Sequence, residues 1–389
     1  MRKTRLFTPG PTPLIPEAQL AMAKPIAHHR TPGFTELLLE TRRNLQQIFG
    51  TQQDVVILAS SGTGAMEAAV CSLLGAGDHA LAVVAGKFGE RWVEICETHQ
   101  IECISLETAA GTAATAEEIC EVLTAHPEVQ ALLIQGCETS TATAHDLEKI
   151  SRLIRKEFPD VYMVVDAITA LLTQPVETDA WGLDAVISGS QKSFGLPPGL
   201  AFLALSARAL DRMAARRPGS YYLSLAREAA SQRKGQTAFT PAISLIEGLH
   251  ASTREILAQG CDRVIEEAER MARCTREGLK ALGFKLLSSS PANAVTGAFP
   301  PDGVPAPELM QRLESEMGVK VAGGQGDLKK KIVRIAHLGY LDLLDVVSIL
   351  SAVELCLLEM GMDIEPGRGV GAALKEAAGD LVVGTAEGR

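Results

Sequence analysis

Lys192 stands in the run Asp184-Ala-Val-Ile-Ser-Gly-Ser-Gln-Lys-Ser-Phe-Gly-Leu-Pro-Pro-Gly199, where an apolar stretch ends in small residues, presents one lysine and turns through glycine and prolines. Twenty-six residues earlier a second apolar stretch, Val161-Tyr-Met-Val-Val165, ends in Asp166. A lysine amine can hold an aldehyde as a Schiff base, and a buried carboxylate can keep a pyridine nitrogen protonated. The pair therefore suits a pyridoxal phosphate site. Taken singly, neither residue says so. A lysine after a strand is most often a solvated turn residue, and an aspartate at a strand end is often a helix cap or turn former.

Three further groups fit the same chemistry. Ser60-Ser61-Gly62-Thr63-Gly64 follows an apolar run and opens a helical one. Glycines let backbone approach an anion, hydroxyls donate to it, and a helix N-terminus adds free N–H groups and a positive dipole end. The motif alone also reads as an ordinary capped turn, and neither GK[ST] nor GxGxxG is present, which disfavours a nucleotide. Phe88, in Ala85-Gly-Lys-Phe-Gly-Glu-Arg-Trp92, could stack on a pyridine ring for about 0.5–1.5 kcal/mol beyond burial, or simply start a helix as a core aromatic. Thr139, in Cys137-Glu-Thr-Ser-Thr141, could donate to a phenolic oxygen or serve as a turn hydroxyl.

The elements that must position these residues are legible from periodicity. Apolar runs at Val55–Ala59, Ala80–Val84, Ile101–Leu106, Val129–Gln135, Val161–Val165, Ala185–Ser188 and Ala201–Leu205 predict seven strands. Amphipathic segments at Phe88–His99, Thr115–His126 and His145–Phe158 lie between them, which predicts a mostly parallel sheet covered on both faces. Ligands gather at the carboxyl ends of such strands, where Asp166 and Lys192 fall. From about residue 255, Val264, Ala268, Met271, Thr275, Leu279 and Leu282 recur at steps of three and four, predicting one long helix. Strands at Ala294–Phe299, Val319–Ala322 and Ile332–Ile335 and a helix at Leu341–Met360 follow. The predicted layout is an extended arm over 1–20, a large domain over 21–255, a smaller α+β domain over 256–365, and a peripheral, poorly ordered tail over 366–389.

At 389 residues the chain is long enough for two domains, and 46% hydrophobic content supplies a core. A net charge of −10 and the absence of a basic stripe argue against nucleic acid as partner. The eight cysteines show no zinc spacing, so no metal is expected. With no secretory signal and no run fit to span a bilayer, the reading is a soluble, cytoplasmic protein with reduced thiols.

The chain resembles the class V aminotransferases, and within them the serine/alanine–glyoxylate aminotransferase group. The resemblance runs through Thr8-Pro-Gly-Pro-Thr12, His29-Arg-Thr-Pro-Gly33, Ser61-Gly-Thr-Gly-Ala-Met-Glu67, Gly189-Ser-Gln-Lys192 and Pro197-Pro-Gly199. It continues through Thr240-Pro-Ala-Ile-Ser244, Ala322-Gly-Gly-Gln-Gly326 and Arg334-Ile-Ala-His-Leu-Gly339. It implies a fold-type-I homodimer with a seven-stranded sheet, with Lys192 as the Schiff-base lysine and Asp166 as partner of the pyridine nitrogen. Ser61, Gly62, Thr63 and Gln191 would hold the phosphate, and the neighbouring subunit would add Thr240 and Thr237. Phe88 stands where the family often has tryptophan. Arg334 would bind the substrate α-carboxylate, a role that a planar guanidinium fills bidentately and lysine does not. His337 reads as structural.

The implied reaction moves an amino group from serine or alanine to glyoxylate or a similar 2-oxo acid, with Lys192 carrying the Cα proton. Alternatives on the same scaffold are transamination of an aminophosphonate, kynurenine-type or ureido-type amine, or a non-catalytic subunit that keeps the fold. A desulfurase would need a cysteine in a mobile Gly/Ser-rich loop, and none of the eight sits in one.

Overall fold

A computed structural model describes residues 3–386. The chain opens with β1 (Arg5–Phe7), α1 (Pro16–Met22) and α2 (Pro32–Ile48). The large domain continues with β2 (Asp54–Leu58), α3 (Gly62–Leu73), β3 (His79–Val84), α4 (Lys87–Thr98), β4 (Glu102–Glu107) and α5 (Ala116–Ala125). Next come β5 (Val129–Gln135), the hairpin β6 (Cys137–Glu138) and β7 (Thr143–Ala144), α6 (Leu147–Glu157), β8 (Tyr162–Asp166), β9 (Ala185–Gly189) and β10 (Ala201–Leu205). Helices α7 (Ala207–Ala215), α8 (Leu225–Gln232), α9 (Ile243–Gln259) and α10 (Cys261–Ala281) lead out of it. The last part holds β11 (Lys285–Leu286), β12 (Val295–Phe299), α11 (Ala306–Ser315), β13 (Val319–Gly323), β14 (Val333–Ala336), α12 (Leu343–Glu359) and α13 (Arg368–Ala386).

The seven predicted strands form one sheet in the order β2-β10-β9-β8-β5-β3-β4. All neighbours are parallel except β10, which runs antiparallel to both β2 and β9. Its strands read as unbroken apolar runs because successive residues point to opposite faces and both faces are covered. Val55, Ile57, Leu81, Val83, Leu132 and Ile134 enter one core, whereas Val56, Leu58, Ala80, Ala82, Ala131 and Leu133 enter the other. This is a fold-type-I architecture, with Asp166 as the last residue of β8 and Lys192 three residues beyond β9.

A five-stranded sheet, β1-β13-β14-β12-β11, belongs to the smaller α+β part. Its edge is supplied by the N-terminus. β1 pairs in parallel with β13, and Phe7 is buried beside Val319 and Val321. The first twenty residues are therefore not an extended arm throughout. Pro16 starts α1, a position where the missing N–H has no helical partner to lose.

The predicted long helix is α10, with Ala268, Met271, Thr275 and Leu279 on its buried face; Gly260, whose φ of +92° a side chain would disfavour, separates it from α9. One other expectation is corrected. The segment after residue 366 holds α13, which packs on α10 with Ala373 and Ala377 buried. The buried Glu354 caps its head, accepting from the N–H groups of Gly367 (2.8 Å), Gly369 (2.6 Å) and Val370 (3.0 Å). Small residues make this contact: a Cβ at Gly278 would lie 3.0 Å from the Gly369 carbonyl. No helix among the described residues is long and apolar enough to cross a membrane.

Candidate active site

Lys192 sits in a turn closed by its own backbone. The Ser190 hydroxyl donates to the Pro197 carbonyl (2.7 Å) and accepts from Leu200 N–H (3.2 Å), and Gly195 N–H donates to the Lys192 carbonyl (3.0 Å). The N-terminal segment is stitched to this turn. Thr12 Oγ1 donates to the Lys192 carbonyl at 2.9 Å, and Lys192 Nζ donates to the carbonyl of Pro9. Burial lowers the lysine pKa to about 8, partly opposed by the negative charge of Asp166.

Asp166 is buried and accepts from Ile168 N–H through Oδ1 at 2.9 Å. Burial pushes its pKa up to about 7; the Ile168 N–H and the Lys192 charge pull it down, and the Glu138 charge pushes it up. A cation facing this carboxylate would favour its ionised form further, and a protonated ring nitrogen is such a cation.

Around these two lies a cavity whose walls include Ser61, Gly62, Thr63, Phe88, Asp166 and Lys192. Ser61 is the N-cap of α3, in extended conformation, and its side chain makes no capping bond, so the helix head is open to a ligand. A Cβ at Gly62 would lie 2.3 Å from Ile168 Cδ1, so glycine is what lets this helix head come so close. Gln191 Oε1 is buried without a partner among the described residues. Phe88 offers an aromatic wall, and Arg91 lies over its ring at 4.7 Å while donating from Nη1 to Thr63 Oγ1 at 3.1 Å. Open N–H groups for a phosphate, a ring-sized wall, an acid for a ring nitrogen and an amine for an aldehyde are all present. These residues fit pyridoxal phosphate.

A second cavity of about 590 Å³ shares Phe88, Thr139 and Lys192 with the first and has Arg334 on its wall. Arg334 is buried and tethered twice, Nε to the Gly323 carbonyl (2.8 Å) and Nη1 to the Thr139 carbonyl (2.7 Å). Of its five N–H groups, one on Nη1 and both on Nη2 remain for a carboxylate. Lys320 also lines this cavity, paired with Glu314.

The structure brings Ser61, Gly62, Thr63, Phe88, Thr139, Asp166, Gln191, Lys192 and Arg334 together, but not Thr237 or Thr240. Thr237 donates to the Phe239 carbonyl at 2.6 Å, Thr240 is exposed, and both line a separate small cavity with Tyr222 and Phe239. His337 is buried, pairs through Nδ1 with the Asn293 carbonyl at 3.2 Å and is pushed down to about 3 by burial, which suits a neutral packed ring. Sequence reasoning missed Arg91, Pro9 and Gly10. Arg91 had a signal, lying one helical turn after Phe88. The arm contact with Lys192 joins residues 183 positions apart and leaves no local trace.

Comparison with known proteins agrees with this geometry. The family model for aminotransferase class V matches residues 18–335. The chain is 34% identical to the soluble hydrogenase small subunit of Synechococcus sp. (strain PCC 6716), over 95% of this chain and 97% of that one. It is 30% identical to the L-aspartate–glyoxylate aminotransferase of Paracoccus denitrificans, over 95% and 94%. Among solved structures, the subgroup IV aspartate aminotransferase of Thermus thermophilus superposes with a TM-score of 0.86 at 34% identity, covering 92% of this chain and 99% of the other. The chain belongs to the class V aminotransferases and is a pyridoxal phosphate-dependent enzyme of that family.

Proposed function

We propose that this aminotransferase moves the amino group of a small amino acid, serine or alanine, to glyoxylate or a similar 2-oxo acid. The observation that carries this reading is Arg334, held by two carbonyls with its remaining donors available in a cavity that also reaches Lys192. A bidentate fork sets an α-carboxylate in one orientation, so the Cα proton of the same substrate can face the lysine.

Bound pyridoxal phosphate supplies the electron sink for the charge that develops as that proton leaves. Lys192 Nζ takes the proton from Cα; its lowered pKa leaves part of the amine free near neutral pH. Asp166 would keep a proton on the ring nitrogen. Ser61, Gly62, Thr63 and Gln191 would hold the phosphate, Phe88 would offer its ring as a wall, and Thr139 would donate to the phenolic oxygen. Pro9 and Gly10 cover one side of the amine and limit access of water.

Thr237 and Thr240 would reach a phosphate only from a second copy of the chain, so the active form in this reading is a dimer with shared sites. The surface around them supports an interface: Tyr221 and Tyr222 are 72% and 50% exposed and pack on Phe239 at 5.6 and 4.9 Å.

A second reading takes aspartate as donor. Lys320 on the cavity wall favours it, because a distal carboxylate needs a second cation, although Glu314 already neutralises this one. The deciding experiment compares serine, alanine, aspartate and 2-aminoethylphosphonate with glyoxylate as common acceptor. Serine or alanine should lead. A clear lead for aspartate moves the assignment to the second reading, and a lead for the phosphonate, which lacks an α-carboxylate, ends both.

A further inference from the structure

Glu138 is fully buried and has no part in the proposed proton transfer. Its Oε2 accepts from the N–H groups of Phe88 and Gly89, both at 3.0 Å, and its Oε1 accepts from Ser140 N–H at 3.0 Å and from the Ser140 hydroxyl at 2.5 Å. Backbone N–H groups only donate, so both oxygens must accept, whichever partner supplies the proton in the short contact with the Ser140 hydroxyl. Ser140 Oγ also accepts from Lys87 N–H at 3.0 Å. The first three N–H groups of α4 are thus satisfied by the hairpin beside β6, not by a cap of their own, since Gly86 offers none.

The neighbouring backbone is shaped for this contact. A Cβ at Gly86 would lie 2.8 Å from Glu138 Cδ and 2.3 Å from Ser140 Oγ, and a Cβ at Gly89 would lie 2.6 Å from the Val83 carbonyl. Phe88 sits between these two glycines. The residue after Glu138 is Thr139, whose carbonyl holds Arg334 at 2.7 Å. One short strand end therefore grips the ring wall with a side chain and the carboxylate-binding arginine with the next carbonyl. Burial pushes the carboxyl pKa up, and the donors from Ser140, Gly89 and Phe88 pull it back.

We propose that Glu138 is a positioning residue that acts through Phe88: its buried carboxyl group caps α4 from outside the helix and thereby fixes the Phe88 ring against the cofactor, in register with Arg334. This rests on the assignment of the Lys192 cavity to pyridoxal phosphate. Glu138→Gln keeps the shape but only one acceptor oxygen, so an amide N–H₂ must face either the α4 N–H groups or Ser140 N–H, and the clamp on Phe88 is weakened.

The test is a double-mutant cycle on cofactor binding by apoprotein, using Glu138→Gln and Phe88→Leu and reading the dissociation constant and the visible circular dichroism of bound pyridoxal phosphate. Glu138→Gln should weaken binding about tenfold and change the dichroism, and in the Phe88→Leu background its effect should fall to about twofold. An equal penalty in both backgrounds overturns the proposal, since a merely structural carboxylate does not act through the ring. If Glu138→Gln fails to fold, Ser140→Ala, which removes the hydroxyl contact and the Lys87 cap but leaves the Glu138 carboxyl, should show a smaller penalty with the same dependence on Phe88. Borohydride trapping on the unsubstituted protein separates the two layers. Label on a residue other than Lys192 ends the site assignment, whereas label on Lys192 with additive penalties ends only the role of Glu138.

Discussion

Gly10 touches Lys192 so closely that a Cβ at Gly10 would lie 2.2 Å from the lysine Nζ and 2.8 Å from its Cε. The backbone there has φ +135°, which side-chain-bearing residues rarely adopt. The N-terminal segment is thus a wall of the site, fixed from both sides by β1 on the small sheet and Thr12 on the lysine turn.

Gly10→Ala should therefore act on the amine and not on the core. The expected result is capture of pyridoxal phosphate by apoprotein slowed about tenfold, with the melting temperature lowered only slightly. Stopped-flow absorbance on apoprotein checks the rate, and an unchanged rate would show that the arm yields freely.

Lys192 should be the residue that borohydride links to the cofactor, identified by peptide mapping. Lys192→Ala should still bind pyridoxal phosphate but lose turnover by about 10³-fold or more, because the proton carrier is gone.

The pH dependence follows from the lysine. Only the uncharged amine attacks an aldehyde, so cofactor capture should rise with pH and level off above a midpoint near 8. In Asp166→Asn the negative charge that holds the lysine proton is absent, and the midpoint should move to lower pH. The same variant should slow Cα proton abstraction about 10²-fold or more, seen in single turnover, while cofactor affinity falls much less. A midpoint that rises in the variant would contradict the pairing of these two groups.

Arg334→Lys should raise KM for donor and acceptor together, since one point charge replaces the remaining fork and the tethers to Gly323 and Thr139 are lost. A rise for only one of the two substrates would place the other carboxylate elsewhere.

A stability test lies far from the chemistry. Buried Asp184 accepts from Arg155 Nη2 (2.8 Å), Arg208 Nε (2.6 Å), Ser206 Oγ (2.8 Å) and Met163 N–H (2.8 Å), tying β8 and β9 to α6 and α7. Asp184→Ala should destabilise the fold by about 3 kcal/mol, measured by urea unfolding, because it leaves two partly buried guanidinium groups without their counter-charge.

Much of this protein was readable along the chain. The seven strands of the large sheet follow from apolar runs, because a strand covered on both faces needs no polar alternation. Asp166, Lys192 and Ser61-Gly62-Thr63 stand out because strand ends and helix starts carry their signals within a few residues. What the sequence could not determine is which distant segments meet. Pro9 and Gly10 close over Lys192, Glu138 caps a helix that begins about fifty residues earlier, and α13 docks on α10 with Ala373 and Ala377 buried. Each of these depends on close approach between backbones, and close approach is set by the packed sheet and its crossovers. A residue's type and spacing record what it can bond to, and only the tertiary structure decides what comes within reach.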